Sequence, residues 1–339
     1  MATIKDIAAL SGVSRGTVDR VLNNRKGVHP DTRSKVLAVT KSLDYRPNKA
    51  GMVLSAQRKN LKFGVVMFGT NNPFFDDVRV ALSSITSELS RYNCEIMIRS
   101  TPGDSDKDQI DAIDELVKAG ISGLAIAPQN QEGVVKKIDE LYKKHIPTVT
   151  FNSDLPTSKR IAYVGSDYRK SGRTIAGLMK LIDHVGQLEI GVVGGLRSVL
   201  CHTERIEGFK DVAKETSNMH IVDTVWSDDD DLKCHEVVRG LLSSHPEINA
   251  MYFTAGAIEG GCRAIKELGR EKGMIVLTHD KVPSTCALIE EGLIQATVCQ
   301  QPAIQGTMPL QILFDYLTIG EKPKALNYTD TEIYIKENL

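Results

Sequence analysis

The chain has 339 residues, too many for one ordinary hydrophobic core, and its length indicates two or three structural units. Hydrophobic residues make up 41% and charged residues 25% of it, which is typical of a folded globular protein and excludes a largely disordered chain. The formal net charge of -1 is unevenly spread, because residues 1–60 hold twelve Lys/Arg and four Asp and so carry +8. A basic head on an acidic body indicates a polyanionic partner for the head, with a solvated helical surface as the alternative.

The sequence lacks the patterns of a membrane or metalloprotein. No run of 18 apolar residues occurs, and Lys5 and Asp6 interrupt the N-terminus where a signal peptide would be apolar. The six cysteines form no CxxC pair and no Cys/His cluster at metal spacing. We therefore expect a cytoplasmic protein with no metal, no cofactor and no membrane contact.

The sequence of the head predicts three short helices that pack around one small core. Thr3 can cap the first helix and Gly12 can end it, Ser14 can cap the second, and His29-Pro30-Asp31 can begin the third. The apolar positions at helical spacing are Ile4, Ile7, Ala8 and Leu10, then Val18, Val21 and Leu22, then Val36, Leu37, Thr40 and Leu43.

The second helix has the features of a DNA recognition helix, whose N-terminal end meets base edges in the major groove. The side chains expected at DNA are Ser14, Arg15, Gly16, Thr17, Asp19, Arg20 and Asn23. The stretch 12-GVSRG-16 also matches the GxSxG elbow of serine hydrolases, but that elbow requires a preceding strand, and here a helix is predicted.

From residue 61 onward, apolar strands alternate with amphipathic helices. The predicted strands are 61–68, 94–100, 121–128, 146–151, 188–195, 248–254, 274–280 and 296–300. This alternation predicts an α/β body of parallel sheets covered by helices, divided into two doubly wound, Rossmann-like lobes. No GxGxxG or P-loop accompanies the strands, which argues against a nucleotide-dependent enzyme.

Polar and aromatic side chains follow several of these strands, where doubly wound folds bind their ligands. The clusters are 70-TNNPFF-75, 151-FNSDLP-156, 203-TER-205, 279-HDK-281 and 300-QQP-302. Amides, carboxylates and an arginine can bond hydroxyl groups while aromatic rings stack on a sugar ring, so the set predicts a sugar or polyol site. The alternatives are core packing for the phenylalanines, a surface ion pair for Arg205 and a turn role for Asp280.

The segments 3-TIKDIAALSGVSRGTVDRVLNN-24 and 44-DYRPNKAGMVLSAQRKNLKFGVV-66 resemble the LacI/GalR family of bacterial transcription regulators, over essentially the whole chain. The resemblance implies a helix-turn-helix head, a hinge helix that inserts Leu54 into the minor groove, and a homodimer on a palindromic operator. Two residues depart from the family pattern: Asp19 stands where a serine is usual, and Gly51 stands where the hinge commonly has alanine.

The body resembles periplasmic sugar-binding proteins of the ribose-binding type, with the periplasmic binding protein type I fold. This likeness implies effector contacts at Asn72, Phe74, Phe75, Asn152, Asp154, Arg205, Asp280 and Gln300. The polar residue that often follows the sixth strand is missing, because Ala255 and Gly256 stand there.

We therefore predict a non-enzymatic transcription regulator, a repressor whose grip on its operator is controlled by a sugar or polyol. The alternative is a sugar-binding protein or enzyme of the same body fold without a regulatory role. The expected domains are the helix-turn-helix head at 1–46, the hinge at 47–60 and the effector and dimerisation body at 61–339. Within the body, one lobe comprises 61–160 plus 294–318 and the other 161–293 plus 319–339.

Overall fold

The protein is described by a computed structural model over residues 3–22, 27–43, 45, 60–68, 72–102, 105–183 and 186–339. The predicted DNA contacts Asn23 and Leu54, and the predicted hinge up to residue 59, lie outside the described residues.

The head is a bundle of three helices, α1 Ile4–Ser11, α2 Arg15–Leu22 and α3 Pro30–Ser42. Thr3 caps α1 in a reciprocal arrangement with Asp6, as its position predicted. Gly12 ends α1 with a φ of 67°, and the N–H of Val13 then bonds the Ala8 carbonyl at 3.0 Å. Only glycine adopts this left-handed conformation at little cost, so the turn before α2 depends on it.

Five buried side chains hold the head together: Ile7, Ala8, Val18, Val21 and Val36. All five were predicted from helical spacing. Leu10 and Leu37 were also expected to pack, but they are 61% and 47% exposed, because each points away from the neighbouring helices. Leu43, which was predicted, and Val39, which was not, pack at the edge of the core.

The body contains twelve strands, nine α-helices and one short 3-10 helix, Lys336–Asn338, among its described residues. In chain order they are β1 Lys62–Phe68, α4 Phe74–Ser90, β2 Glu95–Thr101, α5 Asp106–Lys118, β3 Gly123–Ile126, α6 Glu132–Lys143, β4 Thr148–Phe151, β5 Ala162–Gly165, α7 Tyr168–Ile182, β6 Leu188–Gly194, α8 Leu200–Lys214, β7 Met219–Trp226, α9 Asp231–Ser244, β8 Ala250–Phe253, α10 Ile258–Glu267, β9 Ile275–His279, α11 Pro283–Glu290, β10 Ala296–Cys299, α12 Pro302–Ile319, β11 Leu326–Tyr328 and β12 Glu332–Tyr334.

The strands form two six-stranded sheets, one in each lobe. The first lobe has the order β11-β5-β4-β3-β1-β2, with all its strands parallel. The second lobe has the order β12-β10-β9-β8-β6-β7, in which only β12 runs antiparallel. Each sheet carries a hydrophobic cluster on each face, which confirms the predicted doubly wound architecture.

The lobe boundaries differ from those predicted. β5 was assigned to the second lobe but pairs with β4 in the first, whereas β10 was assigned to the first lobe but pairs with β9 in the second. β11 similarly belongs to the first sheet. The chain thus crosses between lobes after Gly165, Cys299 and Tyr328, one strand later than expected each time. The cause is that the short strands β5, β11 and β12 were not recognised in the sequence.

Candidate functional site

The exposed side of α2 carries most of the predicted DNA contacts. Ser14, Arg15, Gly16 and Arg20 are exposed, while Thr17 and Asp19 are half-buried. Ser14 Oγ accepts a hydrogen bond from the Thr17 N–H at 3.1 Å and therefore caps α2, as predicted. Because α1 precedes this stretch and no strand does, the hydrolase elbow is excluded.

The body holds a cleft between the carboxyl ends of the two sheets. It has an outer chamber of about 440 Å³ and a narrow inner chamber. The inner chamber brings together seven of the eight predicted effector residues, and their contact with an effector stays a prediction. From the first lobe come Asn72, Phe74, Phe75 and Asn152, and from the second Arg205, Asp280 and Gln300.

Arg205 lies at the bottom of the inner chamber, carried there by α8. The residue is 2% exposed, and its Nη1 donates to the Thr254 carbonyl at 2.7 Å. Its Nε and Nη2 are buried and have no hydrogen-bond partner among the described residues. The guanidinium also lies 5.0 Å from the centre of the Tyr168 ring. Since a buried donor without a partner costs about 1–3 kcal/mol, this arrangement is suited to a ligand that supplies oxygen atoms.

A chain of amide and carboxylate bonds connects the two lobes behind the chamber. The Gln300 amide donates to both oxygens of Asp280, at 2.9 and 3.1 Å, and Gln300 Oε1 accepts from the Tyr168 hydroxyl at 2.9 Å. The Gln305 amide in turn donates to the Gln300 carbonyl at 2.7 Å, and Gln305 Oε1 accepts from Asn152 at 3.4 Å. Asn152 follows β4 in the first lobe and Gln300 follows β10 in the second. The network therefore fixes the predicted effector residues Asn152, Asp280 and Gln300 relative to one another where the two lobes meet.

Asp154 is a correction to the predicted effector set. Its carboxylate accepts hydrogen bonds from Nε and Nη2 of Arg160, at 2.5 and 2.6 Å, and from the Thr150 hydroxyl at 2.6 Å. The Leu155 N–H completes its bonds at 2.8 Å. These partners hold Asp154 away from both chambers, because the turn after Asn152 directs it toward the loop that carries Arg160.

Phe74 and Phe75 serve the core and the cleft together. Both are at least 95% buried, and their rings pack edge to face at 5.3 Å. Asn72 Oδ1 accepts from the Phe74 N–H at 3.0 Å, which fixes the start of α4. The core alternative raised by the sequence is therefore partly correct, since one face of the pair packs inward while the other lines the chamber.

The outer chamber is acidic. Its lining includes Asp228, Asp229, Asp230, Asp231, Glu259 and Asp280. Burial raises the pKa of Asp280, although Arg205 and the Gln300 amide act in the opposite direction. The His279 imidazole hydrogen-bonds the Tyr252 hydroxyl at 2.8 Å, and burial, aided by the charge of Arg205, keeps its pKa well below the ordinary range. The His279 ring is therefore neutral at neutral pH.

His202, which the sequence analysis did not identify, lines the inner chamber, and its Nε2 lies 3.9 Å from Asp229 Oδ2. Burial acts to lower the pKa of His202, but its interactions with Cys201 and Asp229 outweigh burial and raise the pKa to about 9. Its Nδ1 lies 3.2 Å from the Leu196 carbonyl. At neutral pH the ring is therefore a cation that partly offsets Asp229.

Other residues of the site also escaped the sequence reasoning. Gln305 had a usable signal, because it lies five positions after Gln300 in a helix that begins at Pro302. Tyr168 and His202 had none, since the first begins a helix after an unrecognised strand and the second reaches the cleft only through the packing of α8.

Comparisons with known proteins agree with this architecture. A family described as bacterial regulatory proteins, lacI family, matches residues 3–48, and one described as periplasmic binding protein domain matches residues 63–322. The ribose operon repressor of Halalkalibacterium halodurans is 26% identical over 261 residues, which cover 77% of this chain and 74% of that protein. The ribose import binding protein RbsB of Bacillus subtilis is 25% identical over 269 residues, covering 78% and 84%.

A solved structure shows the same fold for the body. GanP, a glucose-galactose binding protein from Geobacillus stearothermophilus, aligns with a TM-score of 0.76 at 23% identity, over 82% of this chain and 98% of that one. In the part of the chain that the structure describes, no helix is long and apolar enough to cross a membrane.

Proposed function

This chain belongs to the lacI family of bacterial regulatory proteins, with a body of the periplasmic binding protein family, and we propose on that premise that it is a repressor controlled by a sugar or polyol. As a member of this family it is a DNA-binding transcription regulator with a sugar-binding type of effector domain, and it is not an enzyme. The finer statements below are our proposal. The observation that carries the proposal is the inner chamber, where two lobes place amides, a carboxylate and two aromatic rings around the unsatisfied donors of Arg205.

The proposed mechanism couples the cleft to the head. An effector that bonds Arg205 and Asp280 from the second lobe and Asn72 from the first favours the closed arrangement of the lobes, because only that arrangement satisfies all three groups. Closure moves the first lobe, from which the chain leads back to the hinge and the head. The change in operator affinity that the effector causes cannot exceed the ratio of the effector's affinities for the two arrangements.

Two copies of the chain are proposed to act together in the cytoplasm. A palindromic operator presents two half-sites, and a homodimer presents two heads with matching symmetry. Arg15 and Arg20 on α2 are proposed to contact bases, and Leu54 is proposed to insert between base steps. Two relatives, the ribose import binding protein and the ribose operon repressor, are named for ribose, which supports a sugar as the ligand class.

The test has a DNA part and a ligand part. In vitro selection from a random duplex library should yield a palindromic site whose affinity falls steeply with salt, because several phosphates are neutralised. A thermal-shift screen with monosaccharides and polyols should then find a ligand that stabilises the protein by about 2.7 kcal/mol at 100 times its Kd. Arg205→Ala should abolish that shift. DNA binding without any sugar effect would refute the sugar assignment, and sugar binding without any DNA selection would favour the sugar-binding protein.

A further inference from the structure

Asp229 has a carboxylate oxygen that the protein itself does not satisfy. The residue follows β7 and lines the outer chamber, with its backbone held at a φ of 59°. Its Oδ1 is buried and has no hydrogen-bond partner among the described residues. Its Oδ2 lies 3.9 Å from His202 Nε2, too far for a hydrogen bond. A buried acceptor of this kind indicates that the missing donor comes from outside the chain.

The neighbouring aspartates are occupied, which sets Asp229 apart from a merely acidic surface. Asp228 pairs with Lys233, and Asp230 caps α9 by accepting from the Lys233 N–H at 2.7 Å. Asp231 accepts from the Gly260 N–H at 3.0 Å. Asp229 is thus the member of this run whose carboxylate is left for a ligand.

The space beside Asp229 is open because small residues surround it. A Cβ on Gly256 would lie 3.8 Å from Asp229 Oδ1 of the second lobe and 3.8 Å from Asn72 Nδ2 of the first. A Cβ on Gly195 would lie only 2.6 Å from the same Oδ1, so that glycine permits the close approach. The polar side chain missing at Ala255 and Gly256 is therefore replaced in space by Asp229, from a different loop.

The ionised side chains that line the outer chamber disfavour an anion there, although the protonated His202 of the inner chamber partly offsets the charge of Asp229. Every ionised side chain that lines the outer chamber is acidic, since the pKa of His279 is lowered and its ring is neutral. An independent observation shows that the adjoining inner chamber expects a ligand: Arg205 is 98% buried and has two unpartnered nitrogens there. A ligand that reaches from Arg205 to Asp229 must be polar at both ends without a large negative charge at the outer end.

We propose that Asp229 is a specificity-determining residue of the effector site: its carboxylate accepts a hydrogen bond from a hydroxyl or ammonium group of the effector and disfavours phosphorylated ligands. This inference rests on the proposed sugar or polyol site. It narrows the effector to neutral or amino-bearing polyols and excludes sugar phosphates.

The test compares matched ligands on the full-length protein by titration calorimetry. The probes are D-ribose, D-allose, D-glucose and D-galactose, with D-glucosamine as the ammonium counterpart and D-ribose 5-phosphate and D-glucose 6-phosphate as the anionic ones. Asp229→Asn removes the charge while keeping the shape and tolerating the left-handed backbone. Asp228→Asn is the matched control, because it removes the same charge from the adjacent residue, whose carboxylate is already paired.

We expect a neutral or amino sugar to bind and each phosphate to bind at least a hundredfold more weakly. Asp229→Asn should raise the Kd of the bound sugar about ten- to a hundredfold, which is the range for a charge-assisted hydrogen bond. It should also reduce the ratio between the Kd of a sugar phosphate and the Kd of the neutral sugar. Asp228→Asn should change the Kd less than threefold. Glucosamine bound more tightly than glucose would identify an ammonium donor, and the reverse order a hydroxyl.

A second variant tests the same geometry from the other side. Gly256→Ser offers its own hydroxyl to Asp229 and should weaken sugar binding more than Gly256→Ala, which adds only the Cβ. Equal Kd values in Asp229→Asn and Asp228→Asn, or a phosphate as the tightest ligand, would refute the inference while leaving the proposed function intact. If no sugar of any class bound and Arg205→Ala had no effect, the sugar assignment would fail, and the inference with it.

Discussion

Gln305 is the central link of the network behind the cleft, and its replacement gives the sharpest test of that network. The residue is fully buried on α12 and joins the Gln300 carbonyl of the second lobe to the Asn152 amide of the first. Gln305→Met keeps the length and approximate volume of the side chain but removes its hydrogen bonds to Gln300 and Asn152. The change therefore isolates hydrogen bonding from packing.

The expected loss follows from the two groups that would be stranded. The Gln300 carbonyl loses a donor at 2.7 Å, and the Asn152 amide loses an acceptor at 3.4 Å. Leaving one buried polar group unsatisfied costs about 1–3 kcal/mol, and the longer contact is the weaker of the two. We expect Gln305→Met to lower the free energy of unfolding by about 2–4 kcal/mol.

Urea denaturation followed by the fluorescence of Trp226, the only tryptophan, measures this loss. The matched control is Gln311→Met on the same helix, where the amide bonds Asp315 within α12 at 2.9 and 3.0 Å and is only half-buried. The control should cost less than about 1 kcal/mol, because water can replace that bond. Equal midpoints for the two variants would show that the network does not stabilise the body.

Three further changes have definite expected outcomes. Gly172→Ala should lower the free energy of unfolding measured in urea by about 1–3 kcal/mol, because a Cβ there would lie 1.9 Å from the Arg205 carbonyl oxygen. The control is Gly177→Ala on the same helix, whose Cβ would meet nothing within 4 Å and which should be neutral or stabilising. Since the pKa of His279 is lowered in the folded state, the unfolded chain binds more protons below the ordinary value near 6.5. The part of the stability that depends on His279 should therefore be complete above that pH and be lost as the pH falls below it, and urea denaturation of His279→Gln across pH 5–8 should show a smaller loss toward low pH than the parent protein. Arg15→Ala should relax sequence choice at one base pair by about 1–3 kcal/mol in repeated in vitro selection, and an unchanged preference would contradict its assignment.

The head shows how far local patterns reach. Its caps at Thr3 and Ser14, its stop at Gly12 and its five core side chains follow from spacing within each helix, because neighbours along the chain are neighbours in space. Leu10 and Leu37 were misplaced because apolar character alone does not say which side of a short helix faces the bundle. That choice depends on the angles at which three helices cross.

The lobes show where local patterns end. The eight predicted strands are all present, since each is a continuous apolar run of a kind typical of buried parallel strands. β5, β11 and β12 are three or four residues long and take their conformation from the sheet edges that they join. Two of the three crossings between lobes follow β5 and β11, and the predicted strand β10 was assigned to the wrong sheet, so every lobe boundary was displaced by one strand.

The residues of the site also fall into two groups, those that local sequence patterns predicted and those that they did not. Seven of the eight residues predicted for the effector site line the inner chamber, and the exception is Asp154, whose partner Arg160 comes from a loop without a periodic pattern. Asp229 could not be found, because it follows β7, a strand that the sequence reasoning missed.

The backbone offers a reason for the cleft's precision that no side-chain pattern contains. Nine non-glycine residues of the described chain have positive φ, and five of them line the chambers: Asn152, Asp228, Asp229, Ala257 and Asp280. Each such residue costs free energy that surrounding packing must offset, so their concentration at strand ends indicates that the walls of the cleft are held in one conformation. The left-handed backbone of Asp229 directs its carboxylate toward Gly195 and Gly256, which have no side chain that could donate a hydrogen bond. A ligand that supplies the donor therefore forms the missing hydrogen bond when it binds.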